Sequence, residues 1–313
     1  MKTPARIIYL TICLLAGNIV QVSAQDAKND STSVVKQIID TIASQDKNTP
    51  HKYRMNYWVS GGFSLVATAA NIYAIPSIIK SKTDLTDDEI RGVNKEAFNG
   101  FDRWALELDP SQRDQFYKAS DYTLPVIIAA TGALGFDKAI RKDWFRILMM
   151  YYEMHAVTFS LYNFSFFGPA FQNKLRPYVY YDNYSYDDRR GGNNRNSMYS
   201  GHTATAAAST FFMVKVYCDY HPEIGRRKYW LYGLASIPPL VEGYLRVKAL
   251  AHFPTDVMVG YMIGATVGVV VPEMHKFKDR RFHVGLTATP VGPGFTLNYV
   301  PEPKKRSLTT FNY

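Results

Sequence analysis

Cysteine is nearly absent from this chain, which has only Cys13 and Cys218 among its 313 residues. Cys13 falls within an apolar leader-like segment and leaves Cys218 unpaired, so a fold held together by disulfide bonds is excluded. The sequence also has no Gly-x4-Gly-Lys loop and no His-Glu-x2-His pair. These absences exclude the usual phosphate-loop and zinc-protease motifs.

Long basic runs are absent as well, although the formal net charge is +9. A nucleic-acid-binding stripe is therefore not expected, and the positive charge is better suited to an anionic substrate or an anionic membrane surface. The mean hydropathy of −0.19 is low for a protein with many membrane spans. Hydrophobic residues nevertheless make up 47% of the chain, which is enough for a sizeable core in one or two domains.

The N-terminal region has the pattern of a signal peptide over residues 1–24. Two cations, Lys2 and Arg6, precede an apolar stretch that ends at the small-residue site Val22-Ser-Ala24. Residues 25–53 are polar, and we expect them to form a loosely held N-terminal arm.

Six apolar segments follow this arm, and they predict an all-α helical bundle with five or six apolar helices. The segments are 55–79, 122–140, 144–167, 202–217, 229–245 and 255–273. The last is the most membrane-like, because no charge follows Asp256 for most of its length. The first is diluted by Gly, Asn and Pro, so it is compatible with a spanning, an interfacial or a buried core helix.

The C-terminal region alternates apolar and polar residues from Phe282 to Val300 around the turn Pro290-Val-Gly-Pro-Gly294. This pattern predicts a β-hairpin. We therefore divide the rest of the chain into a helical domain over residues 54–280 and a hairpin with a tail over residues 281–313.

Candidate catalytic residues lie between Arg246 and Asp256. His252 and Asp256 are four residues apart, so on the first turn of a helix the carboxylate can accept from the imidazole and fix its tautomer. The other ring nitrogen would then be free as a base or nucleophile, although a purely structural hydrogen bond has the same spacing. Arg246 adds a fork of donors suited to phosphate oxygens.

Two earlier segments add groups that can hold an anion. In Ser197-Met-Tyr-Ser-Gly-His-Thr203, Ser200 is a good N-cap for a helix of small residues, and the free N–H groups of a helix start bind anions. His202 would face that anion. Further upstream, Asn173-Lys-Leu-Arg-Pro-Tyr178 brings the cations Lys174 and Arg176.

Arg-Pro, Ser-Gly-His and Arg-x5-His-x3-Asp, in this order between apolar helices, resemble the type 2 phosphatidic acid phosphatase and vanadium haloperoxidase superfamily. The resemblance covers roughly residues 120–275. Two positions depart from the family pattern. Pro169 stands where the family usually has a lysine, with Lys174 much closer to Arg176, and Tyr199 replaces the usual proline before Ser-Gly-His.

The resemblance implies a metal-independent phosphatase without a cofactor, in which His252 attacks phosphorus, Asp256 orients it and His202 protonates the leaving oxygen. It also implies that the phosphoryl oxygens are held by Arg176, Ser200, the Gly201 N–H and Arg246. Lys174 is the candidate to replace the missing lysine. The implied activity is that of an acid phosphatase or lipid phosphate phosphatase acting on a phosphorylated lipid or another small phosphoester.

Two other functions fit the same motifs. The pocket could hold vanadate in a haloperoxidase, or it could survive as an anion site in a non-enzymatic helical membrane protein. The leader and the apolar helices favour lipid-facing chemistry at the inner membrane of a bacterial envelope. With residues 55–79 outside the membrane, five spans would put the basic loops in the cytoplasm and the site in the periplasm. A soluble periplasmic enzyme would expose the site on the same side.

Overall fold

The computed structural model describes residues 51–98, 100–276, 282–289 and 292–299. The predicted signal peptide and nearly all of the predicted polar arm lie outside the described residues. The described part of the chain is a helical bundle followed by a two-stranded hairpin. The predicted fold class is confirmed.

The described residues contain eleven α-helices, joined in places by 3-10 turns. They are α1 Tyr57–Ser81, α2 Asp87–Arg91, α3 Gly100–Arg103, α4 Arg113–Ala130, α5 Lys138–Arg141, α6 Trp144–Phe164, α7 Tyr186–Arg190, α8 Gly201–Tyr220, α9 Lys228–Ala235, α10 Ile237–Lys248 and α11 Pro254–Lys276. The hairpin pairs β1 Phe282–Thr289 with β2 Gly292–Tyr299 in antiparallel register. All six predicted apolar segments coincide with helices.

The long helices run alternately between the two ends of the bundle. At one end, which we call the basic end, the Arg54 N–H donates to the His275 carbonyl at 2.9 Å, so α1 starts where α11 finishes. At the other end, which we call the motif end, Lys82 follows α1 and donates to the carbonyl of Gln172 at 2.8 Å. Helix α1 therefore runs the full height of the bundle, about 37 Å at 1.5 Å per residue.

The closest helix contact joins α8 and α11, which run parallel. Gly260, Gly264 and Gly268 form one face of α11, and a Cβ on Gly264 would lie only 2.0 Å from the carbonyl oxygen of Ala204. Small residues let helix backbones approach to this distance. Because the helices are parallel, the contact brings both of their N-termini to the motif end.

Two polar loops are pinned together over the motif end. Arg195 donates to both carboxylate oxygens of Glu89 at 2.8 Å, and the Leu85 N–H donates to the Arg190 carbonyl. The loop between Pro169 and Arg195 is rich in tyrosine and packs inward in part: the Tyr181 hydroxyl donates to the carbonyl of Ala105 at 3.0 Å. Tyr178 and Tyr181 are buried and form part of a packing surface.

The outer surface of the bundle is unusually apolar. Large hydrophobic side chains are exposed on every long helix, for example Val66 and Tyr73 on α1 at 72% and 79% exposure. By length and composition, α1 and α11 are the two described helices able to cross a membrane. Helix α1 packs along α6 over the full height of the bundle, and the five-span interpretation, which leaves residues 55–79 outside the membrane, stays a prediction.

We predict that Gly264→Ala destabilises the bundle, because the new methyl group would have to push α11 away from the Ala204 carbonyl. Overpacking of this kind costs about 2 kcal/mol of unfolding free energy or more. Thermal unfolding of the detergent-solubilised protein, followed by circular dichroism, measures the loss. The matched control is Gly62→Ala on α1, where a Cβ meets nothing within 4 Å. Equal unfolding temperatures for the two variants would contradict this account.

Candidate active site

The predicted site residues meet at the motif end, where the starts of α8 and α11 lie side by side. The Ser200 N–H donates to the Asp256 carbonyl at 3.1 Å, which ties the two helix starts together. The loop that carries Arg176 is anchored to the same region, because the Ser197 N–H donates to the Lys174 carbonyl at 3.0 Å. Three segments far apart in sequence thus form one site.

His252 is buried in the short loop before α11, with 3% of its surface exposed. Its Nδ1 lies 2.6 Å from the carbonyl oxygen of Ser197. A carbonyl can only accept, so Nδ1 carries the proton and Nε2 keeps its lone pair. Burial and the neighbouring Arg176 and Arg246 guanidiniums lower the pKa of His252 well below its usual range. The imidazole is therefore held neutral and in one tautomer.

The sequence spacing suggested that Asp256 accepts a hydrogen bond directly from His252. In the structure this hydrogen bond does not form. One carboxylate oxygen accepts from the Ser197 hydroxyl at 2.6 Å and from the Phe253 N–H at 2.9 Å, and the other accepts from Lys174 Nζ at 2.7 Å. The carboxylate instead orients Ser197, whose carbonyl holds the imidazole. The two residues are four apart, as a direct pair requires, but the irregular backbone at residues 249–253 directs their side chains to different partners.

Lys174 is not free to bind phosphate in this structure. Its ammonium group donates to Asp256, to the Thr255 hydroxyl at 2.9 Å and to Asp102 at 3.3 Å, which uses all three of its protons. Asp102 also accepts from the Thr255 N–H at 3.0 Å. That Lys174 replaces the missing family lysine in binding phosphate stays a prediction. Two buried carboxylates need its charge, and unpaired buried charges are costly.

Two guanidiniums supply positive charge to the site. Arg246 is 2% exposed, lies over the ring of Tyr117 at 4.5 Å, and donates to the Ser120 hydroxyl at 2.9 Å. Arg176 donates through Nε to the Asn193 carbonyl at 3.3 Å. Both guanidiniums contribute to the lowered pKa of His252, after burial.

Ser200 and Gly201 form the helix start expected from the sequence. The Ser200 hydroxyl accepts from the Thr203 N–H at 3.4 Å and caps α8. A Cβ on Gly201 would lie 3.2 Å from the ring of Tyr162, so only glycine fits without displacing that ring. Tyr199, which stands where the family has proline, is fully buried and packs edge-on against the same tyrosine.

His202 lies in the first turn of α8, next to Asp121 of α4. Its Nε2 is 3.3 Å from a carboxylate oxygen of Asp121, which also lies 3.6 Å from Arg246 Nη1. Burial and the charges of Arg246 and Arg176 lower the pKa of His202 to about 3. A bound phosphate dianion would offset those two cations and favour the protonated imidazole.

Glu242 lies one turn before Arg246, a spacing at which the two side chains can form an ion pair. It is fully buried, and neither carboxylate oxygen has a hydrogen-bond partner. Arg246 turns instead to Ser120 and Asp121. The pairing suggested by the i,i+4 spacing therefore does not form.

Sequence reasoning missed three residues that shape the site, namely Ser197, Asp102 and Asp121. Ser197 is the first residue of the segment that contains Ser-Gly-His, so its closeness to that motif was a signal that could have identified it. The two aspartates lie far before their partners in the chain: Asp121 is 81 residues before His202, and Asp102 is 72 residues before Lys174 and 153 before Thr255. No local signal in the sequence marks them.

The assembled groups suit chemistry on a phosphoryl group. Two cations and a helix start can hold its oxygens, one neutral imidazole offers a lone pair, and a second imidazole can carry a proton. In the described part of the chain, no group of three or more His, Cys, Asp or Glu side chains is placed to hold a metal ion.

Comparison with known proteins gives one solved structure and one family. The structure is that of the first transmembrane PAP2 type phosphatidylglycerolphosphate phosphatase from Bacillus subtilis, with 17% identity, coverage of 71% of this chain and 98% of that one, and a TM-score of 0.38. No curated protein matches the chain. The family model of the PAP2 superfamily matches residues 149–280, which include all three motifs. The resemblance predicted from the three motifs is thereby confirmed over residues 149–280.

Proposed function

We propose that the protein is a phosphatase that hydrolyses lipid or envelope phosphomonoesters or pyrophosphates through a phosphohistidine, without a metal ion. The observation that carries this proposal is the state of His252. Its Nδ1 proton is donated to a carbonyl, which leaves an unprotonated Nε2 beside two guanidiniums and two helix starts. A neutral imidazole in a cationic pocket is matched to an electrophilic, anionic substrate.

In the first step, Nε2 of His252 attacks phosphorus while the bond from phosphorus to the leaving oxygen breaks. His202 gives its proton to that oxygen. In the second step, His202 takes a proton from water, whose oxygen attacks phosphorus and releases phosphate from His252. Arg176 and Arg246 balance the charge of the equatorial oxygens throughout.

Asp256 supports this reaction indirectly. It fixes the Ser197 hydroxyl and the Phe253 N–H, and thereby places the carbonyl that orients His252. Lys174 neutralises Asp256 and Asp102. We therefore assign Lys174 a positioning role in place of phosphate binding.

A lipid substrate is supported by the apolar outer surface of the bundle, which fits a membrane. With six helices running between the two ends, residues 51 and 276 lie at the same end. A cleaved leader would then place the site in the cytoplasm. The short loops at the basic end carry Arg141-Lys142 and Arg226-Arg227-Lys228, which favour the opposite orientation. We give this charge bias more weight than the leader, and we propose that the site faces the periplasm.

The experiment that tests the function is hydrolysis of a chromogenic phosphomonoester by the purified full chain. We expect activity that persists in EDTA, because arginines neutralise the phosphate, and that vanadate inhibits, because vanadate adopts the geometry of the transferring phosphoryl group. Loss of activity in EDTA and its return with magnesium would contradict the metal-free mechanism. Halide oxidation in vanadate and peroxide, without phosphatase activity, would identify a haloperoxidase instead.

The roles of the two histidines predict different substrate dependence. We expect His252→Ala to remove turnover with every substrate, because no covalent intermediate can form. His202→Ala should lose about 10²- to 10⁴-fold in kcat with a poor leaving group and much less with a good one. The measurement is kcat for aryl phosphates of graded leaving-group pKa, with His221→Ala at the basic end as the control. Equal dependence in both site variants would contradict the assignment of His202 as the acid.

The orientation can be tested with single cysteines in a chain that lacks Cys13 and Cys218. Asp187→Cys lies at the motif end and Lys142→Cys at the basic end, and both positions are exposed. We expect a membrane-impermeant thiol reagent to label the first in intact spheroplasts and the second only after lysis. The reverse pattern would place the site in the cytoplasm.

A further inference from the structure

A second concentration of charge lies at the basic end, far from the candidate active site. A cavity of about 830 Å³ opens there between the ends of α8 and α11 and the start of α9, and we call it the basic-end cavity. Five cations line it, namely Lys52, Lys215, Arg226, Lys228 and Lys276. The phosphatase mechanism uses none of them.

Two of these cations are neutralised by the two carboxylates in the wall. Asp219 accepts from Lys276 Nζ at 2.6 Å and from Lys215, and the Tyr53 hydroxyl donates to it at 2.8 Å. Glu273 pairs with Lys215 and lies 3.8 Å from Lys276. The buried wall of the cavity is therefore close to neutral.

The other three cations give the cavity a net positive charge. In the described part of the chain, no carboxylate lies within salt-bridge distance of Lys52, Arg226 or Lys228; Lys228 instead lies over the ring of Tyr229 at 5.4 Å. Their charges are open to an anion that enters the cavity.

The start of α9 strengthens this preference for an anion. The helix begins at Lys228, directly after the 3-10 turn Pro222–Arg227, and no side chain caps it. Cations at a helix N-terminus face the positive end of the helix dipole, so Arg226, Arg227 and Lys228 add to its potential. A phosphate group would relieve this repulsion.

We propose that the basic-end cavity binds the phosphodiester headgroup of an anionic phospholipid. The adjoining surface fits the rest of such a molecule. Tyr229 and Trp230 are 66% and 80% exposed beside the cavity, and Leu234 and Ile237 continue this apolar face toward the middle of the bundle. The headgroup lies among the cations and the acyl chains follow α9 and α10. Free phosphate has the same charge but cannot use the apolar face.

The test measures binding of dioctanoyl phosphatidylglycerol to the full chain in a nonionic detergent, by native mass spectrometry across a lipid titration. This lipid is a phosphodiester, so the proposed phosphomonoesterase does not consume it. We expect one saturable site that prefers it to dioctanoyl phosphatidylcholine. In the double variant Arg226→Gln with Lys228→Gln, the dissociation constant should rise roughly tenfold or more, since each cation near a headgroup contributes substantially.

The matched control is Arg141→Gln with Lys142→Gln, which removes the same charge from exposed positions at the same end, outside the cavity. It should change binding less than twofold. Equal losses in the two double variants would show a diffuse charge effect and overturn the proposal, as would equal binding of both lipids. Displacement of the lipid by millimolar inorganic phosphate would show that free phosphate is the ligand. Hydrolysis of a chromogenic phosphomonoester should be unchanged in both variants, which separates this site from the proposed active site.

Discussion

The parallel contact of α8 with α11 is the constraint on which the site depends. Glycines on α11 meet the backbone of α8 without intervening side chains, and this sets both the distance and the register of the two helices. Each helix start carries part of the site: Ser200, Gly201 and His202 on α8, and Asp256 on α11. A parallel pair adds two helix dipoles at one point, so positive potential is built into the backbone before any arginine is considered.

The charges around that point are arranged in two layers. The inner layer is cationic: together with burial, Arg246 and Arg176 lower the pKa values of both histidines. Behind it, Lys174 joins Asp102 and Asp256 in a network that is fully hydrogen-bonded. Since buried charges are tolerated when they are paired, this network can stiffen the loop that holds His252 without competing for substrate.

The two ends of the bundle handle anions in different ways. At the motif end, two guanidiniums lie in the same site as His252 and His202, which suits the proposed reaction at phosphorus. At the basic end, cations line an open cavity, which suits the proposed binding of an anionic headgroup. Between them, an apolar exterior with exposed side chains such as Val66 on α1 and Met262 on α11 fits a hydrocarbon environment. On these two proposals, one molecule would meet phosphorylated lipids at both of its ends.

The sequence by itself determined the helices, the hairpin and the segments of the site, because these depend on local patterns. Apolar segments, the Ser200 cap and the three ordered motifs are all readable within a few residues. Only the tertiary structure decided which side chains meet. His252 and Asp256 have the spacing of a direct pair. In the loop before α11, however, the imidazole donates its hydrogen bond to the Ser197 carbonyl. The local sequence around Lys174 does not show that its ammonium group also contacts Asp102, which lies 72 residues earlier. Such partners come from distant parts of the chain, and the energy of pairing buried charges, which no local pattern encodes, selects them.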